Sequence, residues 1–151
     1  MQNFNILRFM LRCQGEILIT VQGISMYPVL HENDKVVVVQ SESYDIGDVV
    51  VFDYDEPLLV IHRILIKTSN RYICKGDNTF RLEQIEKNRV LGKVKCIIRN
   101  DLVLTLPILD GKFIGRSLDV YREYKNNDFN RELTKQSKVY RDFAKDYLNG
   151  I

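Results

Sequence analysis

The sequence predicts a mainly β fold: a coiled, barrel-like antiparallel sheet with a short N-terminal helix and C-terminal helices. Short runs rich in Val, Ile, Leu and Tyr recur between residues 17 and 106, and Gly, Asn, Asp or Pro bounds them. Several runs are apolar on both faces, which suits a sheet that curls on itself better than a flat sheet with one wet side. After Phe113 the apolar spacing lengthens to three and four residues, as in amphipathic helices.

The N-terminal segment MQNFNILRFMLRCQG has an apolar face interrupted by Arg8 and Arg12 at helical spacing, which predicts a short helix. Such a helix either packs on its own domain or rests on a membrane surface as a peripheral contact. The strand candidates that follow are ILITVQ (17–22), KVVVVQ (35–40), DVVVFDY (48–54), LLVIHRILIK (58–67), RYICK (71–75), VLGKVKCIIR (90–99) and LVLTL (102–106). Turn-forming residues separate them, such as SYDIGD before the third strand.

The last part of the chain has a helical pattern. Charged residues surround a set of apolar positions, which predicts amphipathic helices: Phe129, Leu133, Tyr140, Phe143, Ala144, Tyr147 and Leu148. Their apolar stripe either covers the sheet or docks a partner. The change of pattern divides the chain into a β domain over residues 1–112 and a helical extension over residues 113–151 that packs on it.

Composition and charge argue against several classes of protein. The 151 residues suit one domain with a real core, and the net charge of +2 provides no basic field for nucleic acid. Cys13, Cys74 and Cys96 are odd in number and widely spaced, so we expect reduced thiols in a cytoplasmic compartment, and neither disulfides nor a zinc site. No run approaches the ~20 apolar residues of a membrane span, so we expect a soluble protein without a transmembrane anchor.

The segment GISMYPVL (23–30) places Ser25 at a turn after the first predicted strand, where Gly23 frees the backbone. A nucleophilic serine needs its hydroxyl held out from a rigid corner, with a main-chain N–H beside it for an oxyanion. The same residues also fit an ordinary serine at a turn, whose hydroxyl forms a hydrogen bond with its own backbone.

Two more segments contain candidate catalytic groups. His62 is the only histidine within an apolar strand, LLVIHRILI, where desolvation keeps imidazole neutral and able to accept a proton. A structural core histidine fits this pattern too, and His31, in a solvated turn, is the weaker candidate. In ICKGDNTF (73–80), Asp77 lies at a tight turn, where a carboxylate orients a histidine or caps the turn's own amides.

The order of these segments is more specific than any one of them. Gly-x-Ser-Met-x-Pro, GDVVVF (47–52), His-Arg on a strand, Lys-Gly-Asp-Asn and VLGKV (90–94) follow one another along the chain. Over residues 17–98 the chain resembles the type I signal peptidase family, in the superfamily that also contains the self-cleaving LexA-like repressors. The resemblance implies Ser25 as nucleophile and His62 as general base, at a position where bacterial members carry lysine and endoplasmic-reticulum-type members carry histidine.

The same resemblance implies the carboxylates and the substrate. Asp77 falls in the family's Gly-Asp box, and Glu83 lies near a further aspartate that completes the triad in endoplasmic-reticulum-type enzymes; we expect Asp77 to organise the site, and either carboxylate to serve His62. The oxyanion would be held by the main-chain N–H of Ser25. A peptide or precursor protein would add an extended strand beside substrate-binding residues Gly23, Met26, Val50, Val51 and Phe52. Neither a cofactor nor a metal is implied.

The leading interpretation is a serine endopeptidase that works through an acyl-enzyme. One alternative is a non-catalytic peptide-binding module that retains the fold. A site that no longer catalyses a reaction, however, need not keep both Ser25 and His62. Another is a LexA-like regulator that cleaves itself while bound to DNA. That protein would need a DNA-binding helical domain ahead of the sheet, and about 16 residues precede the first predicted strand.

Overall fold

A computed structural model describes residues 4–55, 58–107 and 109–126 and confirms the mainly β fold. Helix α1 (Phe4–Gln14) precedes the strands, and helix α2 (Gly111–Asn126) follows them. The strands are β1 (Glu16–Thr20), β2 (Lys35–Val39), β3 (Val49–Asp55), β4 (Leu58–Lys67), β5 (Arg71–Lys75), β6 (Glu83–Glu86), β7 (Val90–Arg99) and β8 (Leu102–Thr105).

The strands form one curled, half-barrel sheet in the order β1-β2-β7-β3-β4-β5-β6, and every pair is antiparallel. The sheet curls around β7. Strand β2 pairs with residues 93–98 along one edge of β7, while β3 pairs with residues 90–93 and β8 with residues 96–99 along the other. Strand β6 was not predicted, because its sequence EQIE buries only Ile85 and is otherwise polar.

Strands that are apolar on both faces bury both faces in the curled sheet. Successive side chains of a strand point to opposite sides, and in β3 each side meets its own core. Val49 and Val51 belong to the larger cluster, whereas Val50 and Phe52 belong to a smaller one. This two-sided burial is the reason why the VVVF run contains no polar position.

Helix α1 packs on β1 and β7 through Leu7 and Leu11, which are buried in the larger core. Its opposite face leaves the apolar side chains Ile6, Phe9 and Met10 exposed. Among the described residues, no helix has the length and apolar character that crossing a membrane requires.

Helix α2 begins at a capped end. The carboxylate of Asp110 accepts hydrogen bonds from the main-chain N–H groups of Lys112 and Phe113, at 3.0 and 3.2 Å. Phe113 and Val120 are fully buried, so this helix lies against the sheet domain. The predicted helical positions from Phe129 to Leu148 lie outside the described residues.

Candidate active site

Ser25 lies in a tight loop that follows β1. Gly23 has a φ of 77°, a left-handed conformation that glycine adopts without strain, and this turn directs the chain away from the sheet. Ser25 itself is half-buried, while the next side chain, Met26, is 2% exposed in the larger core. The serine is therefore held between a glycine turn and a buried anchor.

The turn after β5 holds the loop around Ser25, the serine loop, through hydrogen bonds. The main-chain N–H of Asn78 donates to the carbonyl oxygen of Ser25 at 2.9 Å, and Nδ2 of Asn78 donates to the carbonyl of Ile24 at 2.9 Å. The N–H of Asp77 lies 3.4 Å from Sδ of Met26, within hydrogen-bonding reach. The Gly-Asp-Asn motif thus positions the segment around the serine through main-chain groups and one amide.

His62 lies on β4 and is only 7% exposed. Its Nδ1 is 2.9 Å from Oε2 of Glu83 on β6. An ionised carboxylate accepts hydrogen bonds and donates none, so this contact assigns the ring proton to Nδ1. In the neutral ring Nε2 is then left with a free lone pair, as a general base requires.

Gly76 lies where the serine loop and the histidine meet. A Cβ built on this glycine would be 2.6 Å from the carbonyl oxygen of Ser25 and 2.9 Å from Nε2 of His62. Both groups therefore adjoin a single point, and only a residue without a side chain fits there. The structure accordingly brings together Ser25 of the loop after β1, His62 in the middle of β4 and Glu83 at the start of β6.

Asp77 has a different partner. Its carboxylate accepts two hydrogen bonds from Arg63, from Nε at 2.9 Å and from Nη2 at 2.8 Å, and both side chains are almost completely buried. Arg63 follows His62 on β4, so its side chain points to the opposite face of the strand. Of the two carboxylates left open for His62, Glu83 is thus the one in contact with it here, while the carboxylate of Asp77 is bound on the other face of the strand.

A groove of about 680 Å³ runs past Ser25 and His62. One wall is formed by residues 19–22 with Ser25 and Met26, and the other by residues 58–62 of β4. Val50, Val51 and Phe52, expected beside the substrate, are 0% exposed and line no part of it. Strand β3 is paired on both edges, with β4 and β7, so it offers no free edge to a peptide.

The wall that leads to Ser25 has an open strand edge. Val21 exchanges main-chain hydrogen bonds with Asn33 and Asp34, which extends the pairing between β1 and β2. Main-chain groups of alternate residues point to opposite edges of a strand. Those of Thr20 and Gln22 therefore point away from β2, toward the open edge.

The opposite wall has a second open edge. Strand β4 has ten residues but pairs with β5 only from Arg63 onward, so within the described part of the chain residues 58–62 are paired on one edge alone. Ile64 donates its N–H to Asp48 on the β3 side. By alternation, the N–H and C=O groups of Leu59 and Ile61 point to the unpaired side. The groove is thus lined by two strand segments that each have unpaired main-chain groups.

Lys75, the first residue of the Lys-Gly-Asp-Asn motif, has a role that the sequence did not reveal. Its side chain is 0% exposed, and Nζ donates to the carbonyl of Gly76 at 3.0 Å and to Oγ of Ser117 at 2.9 Å. Burial lowers the pKa of Lys75 from 10.5 to about 8, an effect that the charges of Asp77 and Glu83 oppose in part. Lys75 connects the turn behind the serine loop to helix α2.

Between about pH 8 and pH 10.5 we expect Lys75 to raise the free energy of unfolding by on the order of 3 kcal/mol, while Cys74, whose pKa is raised by burial, opposes this rise in the upper part of the range. In that range the unfolded amine still binds a proton that the folded amine has lost, so raising the pH favours the folded state. Lys75→Met should remove this slope, which denaturant titrations of both proteins across the range will measure. An unchanged slope in the variant would show that another group causes it.

The described residues contain no group of three or more His, Cys, Asp or Glu side chains that could hold a metal ion. Comparison with known proteins yields one match. A family model described as Peptidase S24-like, within the LexA and signal peptidase superfamily, matches residues 2–95, well over half of the chain. No curated protein and no solved structure matches it.

Proposed function

We propose that this chain, which belongs to the Peptidase S24-like family, is a serine endopeptidase that cuts an extended segment of a peptide or precursor protein. The family has a serine peptidase fold. The observation that supports catalysis most directly is the position of Nε2 of His62, which adjoins the same point beside Gly76 as the Ser25 segment. Its other nitrogen is held by Glu83 at 2.9 Å.

In the proposed reaction, Nε2 of His62 accepts the proton of the Ser25 hydroxyl while Oγ attacks the scissile carbonyl carbon. The main-chain N–H of Ser25 is the proposed donor to the oxyanion. The imidazolium then gives its proton to the leaving amine, the C–N bond breaks, and an acyl-enzyme remains. A water molecule, deprotonated by the same Nε2, hydrolyses the ester and restores the serine.

Glu83 is the proposed orienting carboxylate. Its hydrogen bond to Nδ1 fixes the tautomer in which Nε2 accepts a proton, and its negative charge stabilises the imidazolium that forms. Asp77 is proposed as the organiser of the turn through its ion pair with Arg63. A histidine base with a carboxylate behind it is the arrangement that the resemblance to endoplasmic-reticulum-type signal peptidases implies.

We further propose that substrate binds as a strand in the groove. The unpaired main-chain groups of Thr20 and Gln22 on one wall, and of Leu59 and Ile61 on the other, can pair with an extended peptide. Main-chain pairing selects for an extended conformation, whereas the pockets for alternate side chains select the sequence. The scissile bond would lie where this strand passes Ser25.

The direct test is mass spectrometry of peptide and precursor mixtures incubated with the wild type and with Ser25→Ala. We expect new, discrete fragments with the wild type only, together with a wild-type mass increase that corresponds to an acyl-enzyme when turnover is quenched early. Equal binding of a peptide by both proteins with no cleavage by either would instead identify a peptide-binding module.

Gly76→Ala should reduce turnover by about 100-fold, because its methyl group would displace Ser25 or His62. Gly115→Ala in α2 is the matched control, since a Cβ there meets nothing within 4 Å and alanine favours a helix. Initial rates and melting temperatures of both variants measure the effect. Normal turnover in folded Gly76→Ala would show that this point need not stay empty.

The domain boundary is also a proposal. We assign residues 1–112 to the peptidase domain and residues 113–151 to an extension that packs on it. The reason is that Phe113 and Ser117 contact side chains of the sheet domain next to the site. The guanidinium of Arg63 lies 5.8 Å from the ring centroid of Phe113, and Ser117 bonds Lys75. Free cysteines, one of them exposed, fit the proposed cytoplasmic location.

A further inference from the structure

A second cavity, of about 600 Å³, shares no lining residue with the groove. It lies between α1, the loop of residues 40–44 and the 3₁₀ turn Lys87–Arg89. Three cations line it, Arg8, Arg12 and Lys87, against the single carboxylate of Glu42. The uncharged polar residues of the lining are Gln40, Ser41, Ser43, Tyr44, Tyr72 and Asn88.

The charge in this cavity is poorly compensated. Arg8 donates from Nη2 to the main-chain oxygens of Asn88 and Val90, and its guanidinium lies 4.7 Å from the ring centroid of Phe4. Its buried Nε has no hydrogen-bond partner among the described residues. Nζ of Lys87 lies 5.3 Å from the ring centroid of Tyr72. Within the described ranges, none of the three cations forms an ion pair with a carboxylate.

The same helix that supplies two of these cations exposes an apolar stripe. Ile6 is 59% and Phe9 66% exposed, and Met10 extends the stripe at helical spacing. At 100° per residue, Arg12 projects between this stripe and the face that is buried on the sheet. An exposed apolar stripe flanked by cations matches the boundary between lipid headgroups and acyl chains.

We propose that this cavity, the α1 pocket, binds a phosphate group. A phosphate group offers the oxygen acceptors that the arginine, lysine and hydroxyl donors of the lining require. Its negative charge, one for a diester and up to two for a monoester, offsets the excess of cations. The phosphate belongs either to a soluble phosphate ester or to an anionic lipid headgroup, and in the second case Ile6 and Phe9 contact the acyl region.

The test begins with amide chemical shifts of the full chain titrated with inorganic phosphate at constant ionic strength. We expect saturable shifts in residues 40–43 and 87–88. The double variant Arg12→Gln/Lys87→Gln should bind phosphate roughly 30-fold more weakly. The control Arg71→Gln/Lys95→Gln removes two exposed cations elsewhere and should bind like the wild type.

Sedimentation with vesicles distinguishes the two sources. Binding to phosphatidylcholine vesicles that contain phosphatidylglycerol, but not to pure phosphatidylcholine, identifies a headgroup; Phe9→Ser should then weaken vesicle binding and leave phosphate binding unchanged. Phosphate binding without vesicle binding identifies a soluble ester. The proposal is overturned if phosphate gives no saturable shifts in the pocket, or if the Arg12→Gln/Lys87→Gln variant binds phosphate like the wild type.

Discussion

Alanine in place of Ser25 should lower peptide turnover by roughly 10⁵-fold, and alanine in place of His62 should lower it about as far. The two side chains act as one unit in the proposed mechanism, because the hydroxyl attacks only as Nε2 takes its proton. The double variant should therefore be hardly slower than either single variant. The residual rate would come from binding and from the main-chain oxyanion donor alone.

His31→Ala is the matched control for the histidine substitution. His31 stacks on Tyr27, with ring centroids 5.2 Å apart, and lines no part of the groove. Single-turnover rates on the substrate found by mass spectrometry, together with melting temperatures, compare the wild type with all four variants. Losses that multiply in the double variant would mean that Ser25 and His62 contribute independently, contrary to the mechanism.

Most of the fold could be predicted from local patterns. Runs such as KVVVV and VLGKVKCIIR are rich in Val and Ile, and they form strands at almost the predicted positions. Strand β6 could not be predicted in this way. Its pairing with β5 places Ile85 against Tyr72, a contact that depends on the tertiary fold, and the flanking glutamates give no strand signal.

The candidate site was predictable to the extent that it depends on motifs. The motifs around Ser25 and His62 occur along the chain in the order that is typical of the family. The environment of Val50, Val51 and Phe52 depends instead on the order of strands in the sheet. No local pattern shows that β3 lies between β4 and β7, and so lacks a free edge. The sequence did contain a signal for the free edge of β4: LLVIHRILIK is twice as long as its neighbour RYICK, which cannot pair with all of it.

The partner of Asp77 was unpredictable for a similar reason. A turn carboxylate next to a His-Arg pair can reach either residue, and only the orientation of β4 decides between them. Arg63 forms the bidentate contact on one face, while Glu83, six residues after Asp77, meets His62 on the other. Lys75 was missed because a lysine in a turn motif is normally exposed, whereas helix α2 buries this one.

Glu83→Gln should lower turnover by roughly 10³ to 10⁴-fold and leave the melting temperature nearly unchanged. The side-chain amide can donate to Nδ1 and so favour the tautomer whose proton is on Nε2, which cannot accept the serine proton. Asp77→Asn should have the reverse profile. It leaves Arg63 buried without its counter-ion, so we expect roughly 3 kcal/mol less stability and a smaller fall in the turnover of the folded fraction.

The contrast between the two variants assigns a role to each carboxylate, because each variant replaces a carboxylate by an amide of nearly the same size. Glu86→Gln, on the exposed side of β6, controls for the loss of a charge from that strand and should match the wild type in both measurements. If Glu83→Gln keeps full turnover while folded Asp77→Asn loses it, Asp77 is the carboxylate that serves the histidine, and the substrate complex must differ from the arrangement in this structure.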